Sequence, residues 1–242
     1  MPKKPQSGIR EAILSMKFGK RPLREIIYPC YVRLYPLIYR MREFSYDGQT
    51  YSYMFHPYGA TIRGERIVEV PIALEALDRR RGQHILEVGN VLSHYVPCSH
   101  VILDKYEDHP ACLNMDIFDF EPSCPLDFIV SVSTVEHIGW NEFENTPERA
   151  VQALTRITDM LAPGGTMLVM IPWGYNPALD RYLQSRECLF TELRYMRRVS
   201  RKNKWEETDA GACADAKYGE PFPFGNVIVF GYLTSQAPMA DP

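Results

Sequence analysis

Ile85-Leu86-Glu87-Val88-Gly89-Asn90 is the stretch whose reading decides the fold. An apolar run ends in an acid, then a single glycine, then a polar turn. Fifteen residues past Gly89 a second apolar run, Val101-Ile102-Leu103, closes on Asp104. Two buried parallel strands, each delivering a carboxylate at its carboxyl end, are how doubly wound folds hold the ribose end of a nucleotide-like cofactor.

Working outward, the first strand covers 84–88 and the second 101–104. Asn114-Met115-Asp116-Ile117 fits a short third strand. Leu126 to Val132 is a fourth, almost continuously apolar, as a strand covered on both faces should be. Pro147 to Leu161 carries a helical stripe of Ala150, Leu154, Ile157 and Leu161, with Thr146 placed as N-cap ahead of Pro147. Pro163-Gly164-Gly165 predicts a turn, and Thr166 to Ile171 a fifth strand stopped by Pro172. Residues 189–199 and 226–233 supply two more. The expectation is an α/β three-layer sandwich: a seven-stranded, mostly parallel sheet with an N-terminal extension.

Upstream, residues 44–58 alternate aromatic and polar residues around Asp47-Gly48, which predicts a hairpin. Val70 to Leu77 reads as an amphipathic helix ending in Asp78-Arg79-Arg80-Arg81-Gly82, an ordinary C-terminal signal. Residues 26–39 are aromatic and apolar but interrupted by Pro29, Arg33 and Pro36, which predicts a pair of short helical turns. The organisation expected is a basic, aromatic extension (1–43), a hairpin and helix covering the site (44–79), the main domain (80–235) and a disordered tail (236–242).

The formal charge is −3, unevenly spread: residues 1–42 hold ten Lys and Arg against two Glu, so the remaining 200 residues carry −11. An acidic body argues against nucleic acid as a partner. The basic arm suits packing on the domain or peripheral contact with anionic lipid at the inner face of a membrane. Six scattered cysteines without paired spacing imply reduced thiols and no metal site, hence a cytoplasmic protein. No stretch approaches the roughly 20 apolar residues a membrane span requires.

Four pieces of the chain, over roughly residues 80–233, resemble the class I S-adenosylmethionine-dependent methyltransferases, with their Rossmann-like sheet. Ile85-Leu86-Glu87-Val88-Gly89 looks like the first cofactor motif. Asp104 sits where the family's ribose-binding acid ends the second strand. Ser131-Val132-Ser133-Thr134-Val135-Glu136-His137-Ile138 resembles the strand-four segment ending in Glu-His. Leu161-Ala162-Pro163-Gly164-Gly165 is similar to the turn before strand five. The chain departs from the family where its first motif is glycine-rich, since Val91 and Ser93 stand at the second and third glycine positions. Lys105-Tyr106-Glu107 and Gly174-Tyr175-Asn176-Pro177 add a resemblance to small methyltransferases found with surface-polysaccharide biosynthesis.

The resemblance implies S-adenosyl-L-methionine as cofactor, held by Glu87, Gly89, Asn90, Asp104, Lys105, Asp116, Ile117 and Ser133. Asp104 would receive the ribose hydroxyls. Glu87 would face the cofactor's amino end, or else serve as a structural acid for loop amides. Asp116 would lie near the adenine amine, with Asp119 as rival. His137, with an ordinary pKa of about 6.5, is the candidate general base, or else a residue packing near the cofactor. Glu136, Trp140, Trp173 and Tyr175 would wall the pocket of a small-molecule or glycan acceptor carrying a hydroxyl. The loop 201–225 is a lid or a solvated excursion. Two other functions stay open: a degenerate, non-catalytic binding protein, motivated by Val91 and Ser93, and a nicotinamide oxidoreductase, against which the missing G-x-G-x-x-G counts.

Overall fold

A computed structural model describes residues 22–140, 142 and 145–236. Most of the basic arm (1–21) and the tail 237–242 lie outside the described residues. In chain order the elements are helix α1 (Pro22–Tyr39), strands β1 (Glu43–Tyr46) and β2 (Gln49–Ser52), and helix α2 (Arg66–Asp78). The sheet strands follow: β3 (Ile85–Val88), β4 (Val101–Leu103), β5 (Cys112–Leu113) and β6 (Leu126–Val132). Then come α3 (Arg149–Thr158), β7 (Leu161–Pro172), α4 (Pro177–Leu183), β8 (Glu192–Arg198), β9 (Trp205–Thr208) and β10 (Val227–Thr234).

One sheet runs in the order β5-β4-β3-β6-β7-β10-β8-β9. Its first five strands are mutually parallel, whereas β10 runs antiparallel to β7 and β8, and β8 to β9. The chain winds outward from β3 to β5, then restarts beside β3 with β6. This reversal between β3 and β6 leaves a crevice beyond their carboxyl ends, the place where doubly wound sheets take ligands.

Side-chain alternation divides the interior into two cores. Met167, Val169 and Ile171 of β7 face α3 and α4, joining Ala150, Leu154 and Ile157. Leu168 and Met170 point the other way, to Ile67, Val68 and Ala73 of α2 and to Phe44 and Tyr46 of the hairpin. Residues 44–78 therefore build the second outer layer. Pro71 within α2 cannot donate to the Ile67 carbonyl one turn back, and the Met54 N–H takes that carbonyl at 2.9 Å instead.

Several expectations need correcting. Among the described residues the main sheet has eight strands, not seven, because β9 lies inside the stretch read as a loop. Its Trp-Glu-Glu-Thr sequence pairs Glu206 with Arg197 on a charged sheet edge, which hides the apolar alternation of a strand. The third strand ends at Leu113, before Asp116, because the Asn114 amide turns back to the carbonyls of Asp104 and Lys105. Pro163-Gly164-Gly165 is absorbed into β7 as a bulge: Leu126 pairs with Leu161, Phe128 already with Thr166, and Ser235 bonds the backbone of both glycines. Helix α3 starts at Arg149, since Thr146 and Pro147 form tighter turns to Arg149 and Ala150. α1 is one helix through both prolines, seated by Val32 and Tyr35. Among the described residues no helix is long and apolar enough to cross a membrane, and the six cysteines are free thiols.

The segment before α2 is tied to the far edge of the sheet by Asn203. Its buried amide donates to the carbonyls of Thr61 (2.9 Å) and Gly64 (2.7 Å) and accepts from the Trp205 indole (2.9 Å). Replacing it by alanine strands two carbonyls and an N–H at about 1–3 kcal/mol each before relaxation. Asn203→Ala is expected to lower stability in urea unfolding by roughly 2–4 kcal/mol; a loss below about 1 kcal/mol would show that this anchor is dispensable.

Candidate functional site

The crevice at the strand reversal holds a cavity of about 390 Å³. Val88 and Gly89 enter it from the end of β3, Leu103, Asp104, Lys105 and Tyr106 from the end of β4. Met115, Asp116 and Ile117 come from the segment after β5, and Thr134, His137 and Ile138 from the turn after β6. Its walls are mostly aliphatic, suited to a flat ring, and its rim is charged. Gly89 sits at φ +89°, and a Cβ there would lie 2.2 Å from the Thr134 hydroxyl. Only glycine lets the two strand ends come this close.

A second, larger cavity of about 820 Å³ adjoins the first and shares Asp104, Tyr106, Thr134 and His137 with it. It is lined further by Tyr58 to Ala60, Gly64 to Arg66, Asn90, Val91, Ser133, Glu136, Tyr218 and Phe224.

The expected residues distribute as follows. Asp104 stands between the cavities. Its Oδ1 accepts from the amides of Tyr106 and Glu107 and its Oδ2 from that of Asn90, at 2.9–3.0 Å. A carboxylate offers about four acceptor positions, so one remains at Oδ2: room for a single ligand hydroxyl, where the sequence reading allows two. Asp116 reaches the crevice and the rival Asp119 does not. Burial works against ionisation of Asp116, but the Phe118 amide, Lys105 at 3.0 Å and Arg149 outweigh it and hold its carboxyl below the usual range. Lys105 Nζ also contacts Glu142 at 2.8 Å, and that bond above all raises the lysine pKa and lowers that of Glu142. Ile117 forms wall; Asn90 and Ser133 face the second cavity.

Glu87, Trp173, Trp140 and Tyr175 stand outside the walls of both cavities. Glu87 lines neither cavity: it is 0% exposed, its Oε1 takes the amides of Val91 (2.9 Å) and Leu92 (2.8 Å), and its Oε2 meets His100 Nε2 at 2.8 Å. Of the two roles the sequence offers for Glu87, its contacts are those of the structural acid for the loop. Cys98 completes a group with Glu87 and His100 whose candidate ligand atoms lie within 4.8 Å of one another. Trp173 is buried in the core and Trp140 is absent from both walls. Tyr175 stands behind the wall, packing edge-on against His137 (4.7 Å between ring centres) and Tyr218 (4.8 Å). Within the segment 44–79, Tyr58, Glu65 and Arg66 line the second cavity, while Glu43 to Ser45 at the start of the hairpin line a separate groove with Lys204 to Glu207.

The aromatic wall is instead Tyr58, Tyr106, Tyr218 and Phe224, three of them on segments far from the strand ends. Tyr58 stacks on His94 at 3.7 Å, and His94 bonds Glu107 at 2.8 Å. Arg198 clamps the late loop to the segment before α2, donating to the carbonyls of Pro223 and Arg63. The expectation that 44–79 covers the site takes in Arg66, but not the acids Glu65 and Glu69 beside it, which look like an ordinary charged helix entry. Glu69 is fully buried, accepts from the Ser133 hydroxyl, and has Arg66 Nε at 3.7 Å. Burial pushes its carboxyl up to about 8, with Arg66 opposing and Glu65 adding to the rise. Burial likewise raises Glu136 well above the carboxylate range. Burial, then the charge of Arg66, lowers the pKa of His137, leaving it a neutral imidazole at pH 7.

A carboxyl whose folded pKa exceeds its unfolded value binds more protons in the native state, so its ionisation destabilises the fold. With 4.5 as the ordinary value and about 8 when folded, Glu69 contributes stability below about pH 4.5 that is lost as pH rises towards 8. Thermal stability is expected to fall across that window, and Glu69→Gln to flatten the slope; an unchanged slope would show that Glu69 is ionised when folded.

No family model matches the chain, and no curated protein matches it. Solved structures do. The N-methyltransferase NodS from Bradyrhizobium japonicum in complex with S-adenosyl-L-homocysteine is 13% identical, over 70% of this chain and 90% of that one, with a TM-score of 0.38. An S-adenosylmethionine-dependent methyltransferase from Clostridium acetobutylicum is 10% identical (69% and 89% covered, TM-score 0.35). The sugar N-methyltransferase KedS8 from Streptoalloteichus is 11% identical (72% and 88% covered, TM-score 0.35). At these identities the likeness is one of fold.

Proposed function

We propose that the chain is an S-adenosyl-L-methionine-dependent methyltransferase acting on a small-molecule or glycan hydroxyl. The observation that carries the reading is the aliphatic crevice at the strand reversal, with one free acceptor position on Asp104 at its rim. The crevice fits the cofactor: Val88, Leu103, Ile117 and Ile138 form a slot for the adenine ring, Asp116 stands at the edge where an exocyclic amine would donate, and Asp104 receives a ribose hydroxyl. When bound, the cofactor supplies an electrophilic methyl group on a sulfonium.

The protein's share is alignment of donor and acceptor, worth several kcal/mol of barrier, and removal of the acceptor proton. His137 stands on the wall common to both cavities. Its Nε2 lies 3.6 Å from Glu136 Oε1. As a neutral imidazole it can take a proton from a hydroxyl presented in the second cavity. The tyrosines lining that cavity suit the faces of a sugar ring.

The exposed face of α1 supports a peripheral role as well. Leu34, Leu37 and Ile38 are 52–66% exposed, beside the exposed Arg33 and Arg40. This face is proposed to rest on an anionic lipid surface, the apolar residues inserting and the arginines meeting headgroups.

Calorimetry with S-adenosyl-L-homocysteine is expected to show binding, weakened about tenfold or more by Asp104→Asn; no binding at millimolar ligand would end the reading. His137→Ala is expected to cut kcat by about 10²–10⁴-fold while cofactor affinity holds, and wild-type turnover in that variant would assign the base elsewhere. Partitioning onto phosphatidylserine vesicles should fall when Leu34, Leu37 and Ile38 are changed together to Ser; equal partitioning removes the membrane proposal.

A further inference from the structure

The second cavity gathers three buried acids around one cation, and burial holds two of them, Glu69 and Glu136, towards their neutral forms. Glu65, Glu69 and Glu136 are all nearly or fully buried, and Arg66 is the cation among them. Glu65 Oε2 accepts from the Gly225 amide at 3.0 Å. Arg66 donates to the Ser133 carbonyl at 3.1 Å, and Ser133 in turn serves Glu69. The Oε2 atoms of Glu69 and Glu136 both lack a hydrogen-bond partner among the described residues, but Glu69 Oε2 has Arg66 Nε at 3.7 Å, whereas Glu136, 1% exposed, lines the cavity. A buried carboxylate oxygen without a donor is costly and calls for an explanation such as a missing ligand.

The surroundings narrow that ligand's chemistry. A carboxylate or phosphate would face three acids against one cation. A neutral hydroxyl would supply a donor but no charge to draw Glu136 into its ionised form. A metal ion would need several ligand atoms drawn together, and among the described residues the group of that kind is Glu87, Cys98 and His100, elsewhere in the fold. An organic ammonium supplies both donor and charge, and the faces of Tyr58, Tyr218 and Phe224 on the same wall favour cations.

We propose that the second cavity seats an organic ammonium group, held by Glu136 with Glu65 contributing the second carboxylate. This rests on the methyl-transfer reading and specifies it. Two sources share the chemistry: an amino group on the acceptor, and the amino-acid end of the methyl donor.

Calorimetry at pH 7 on wild type, Glu136→Gln and Glu65→Gln separates them, with circular dichroism confirming that each variant is folded. The ligands are S-adenosyl-L-homocysteine, 5′-methylthioadenosine (which lacks the amino-acid end), and glucosamine against glucose on the homocysteine-saturated protein. If the donor is the source, Glu136→Gln weakens S-adenosyl-L-homocysteine about tenfold or more and leaves 5′-methylthioadenosine unchanged. If the acceptor is the source, both nucleosides bind Glu136→Gln normally, while the wild-type preference for glucosamine over glucose disappears. Unchanged affinities throughout, in both variants, overturn the ammonium seat while leaving methyl transfer standing. Failure of both nucleosides to bind wild type overturns the methyl-transfer reading itself.

Discussion

A buried carboxylate has to find donors, and the fold around the crevice follows from how Glu87 finds them. It ends β3 inside the protein, and two backbone amides and one imidazole close around it. To deliver the amides of Val91 and Leu92, the chain must turn back immediately after Gly89. That turn brings the Asn90 amide to Asp104, so the ends of β3 and β4 are joined by polar contacts on both sides of the glycine. The crevice is the space left over. This accounts for Val91 and Ser93 where glycines would be expected: the loop's amides face inward to an acid, Val91 presents its side chain to the second cavity, and the Ser93 hydroxyl bonds Asn90.

Two groups of carboxylates flank the resulting cavities, and their surroundings give them opposite character. At the crevice mouth Asp116 and Glu142 share Lys105 and Arg149 and are held ionised. Around the second cavity Glu69 and Glu136 sit among apolar atoms with one arginine between them, and burial favours their neutral forms. The first group is a latch of surface charges that salt weakens. The second stores an electrostatic demand that a ligand can meet. His137 stands where the two regions join, and burial, with the same arginine that restrains the buried acids adding to it, keeps its imidazole neutral.

The periodic parts of this protein are legible in its amino-acid order. β3, β4, β6, β7 and β10 are apolar runs long enough to demand cover on both faces, and their order with α3 between them leaves few topologies. Asp116 is placed at the crevice by the resemblance, whereas Asp104 and His137 can be placed there because each follows the carboxyl end of a parallel strand. Glu87 satisfies the same rule and is misplaced by it. Which way a side chain leaves the strand depends on the partners awaiting it, and His100 lies thirteen residues on.

What the amino-acid sequence alone determined is therefore the sheet and the strand ends that face its crevice. Tertiary structure decided the second cavity, whose wall draws on Tyr58, Glu65 and Arg66 ahead of the sheet, Glu136 in its middle and Tyr218 and Phe224 near its end. These residues have no common spacing, and each has an ordinary local reading as helix cap, loop aromatic or surface acid. They come together only because Asn203 and Arg198 bind distant segments through buried polar contacts. Hydrophobic period is written along the chain, whereas the pairing of a buried donor with its acceptor exists only once both have been brought out of water.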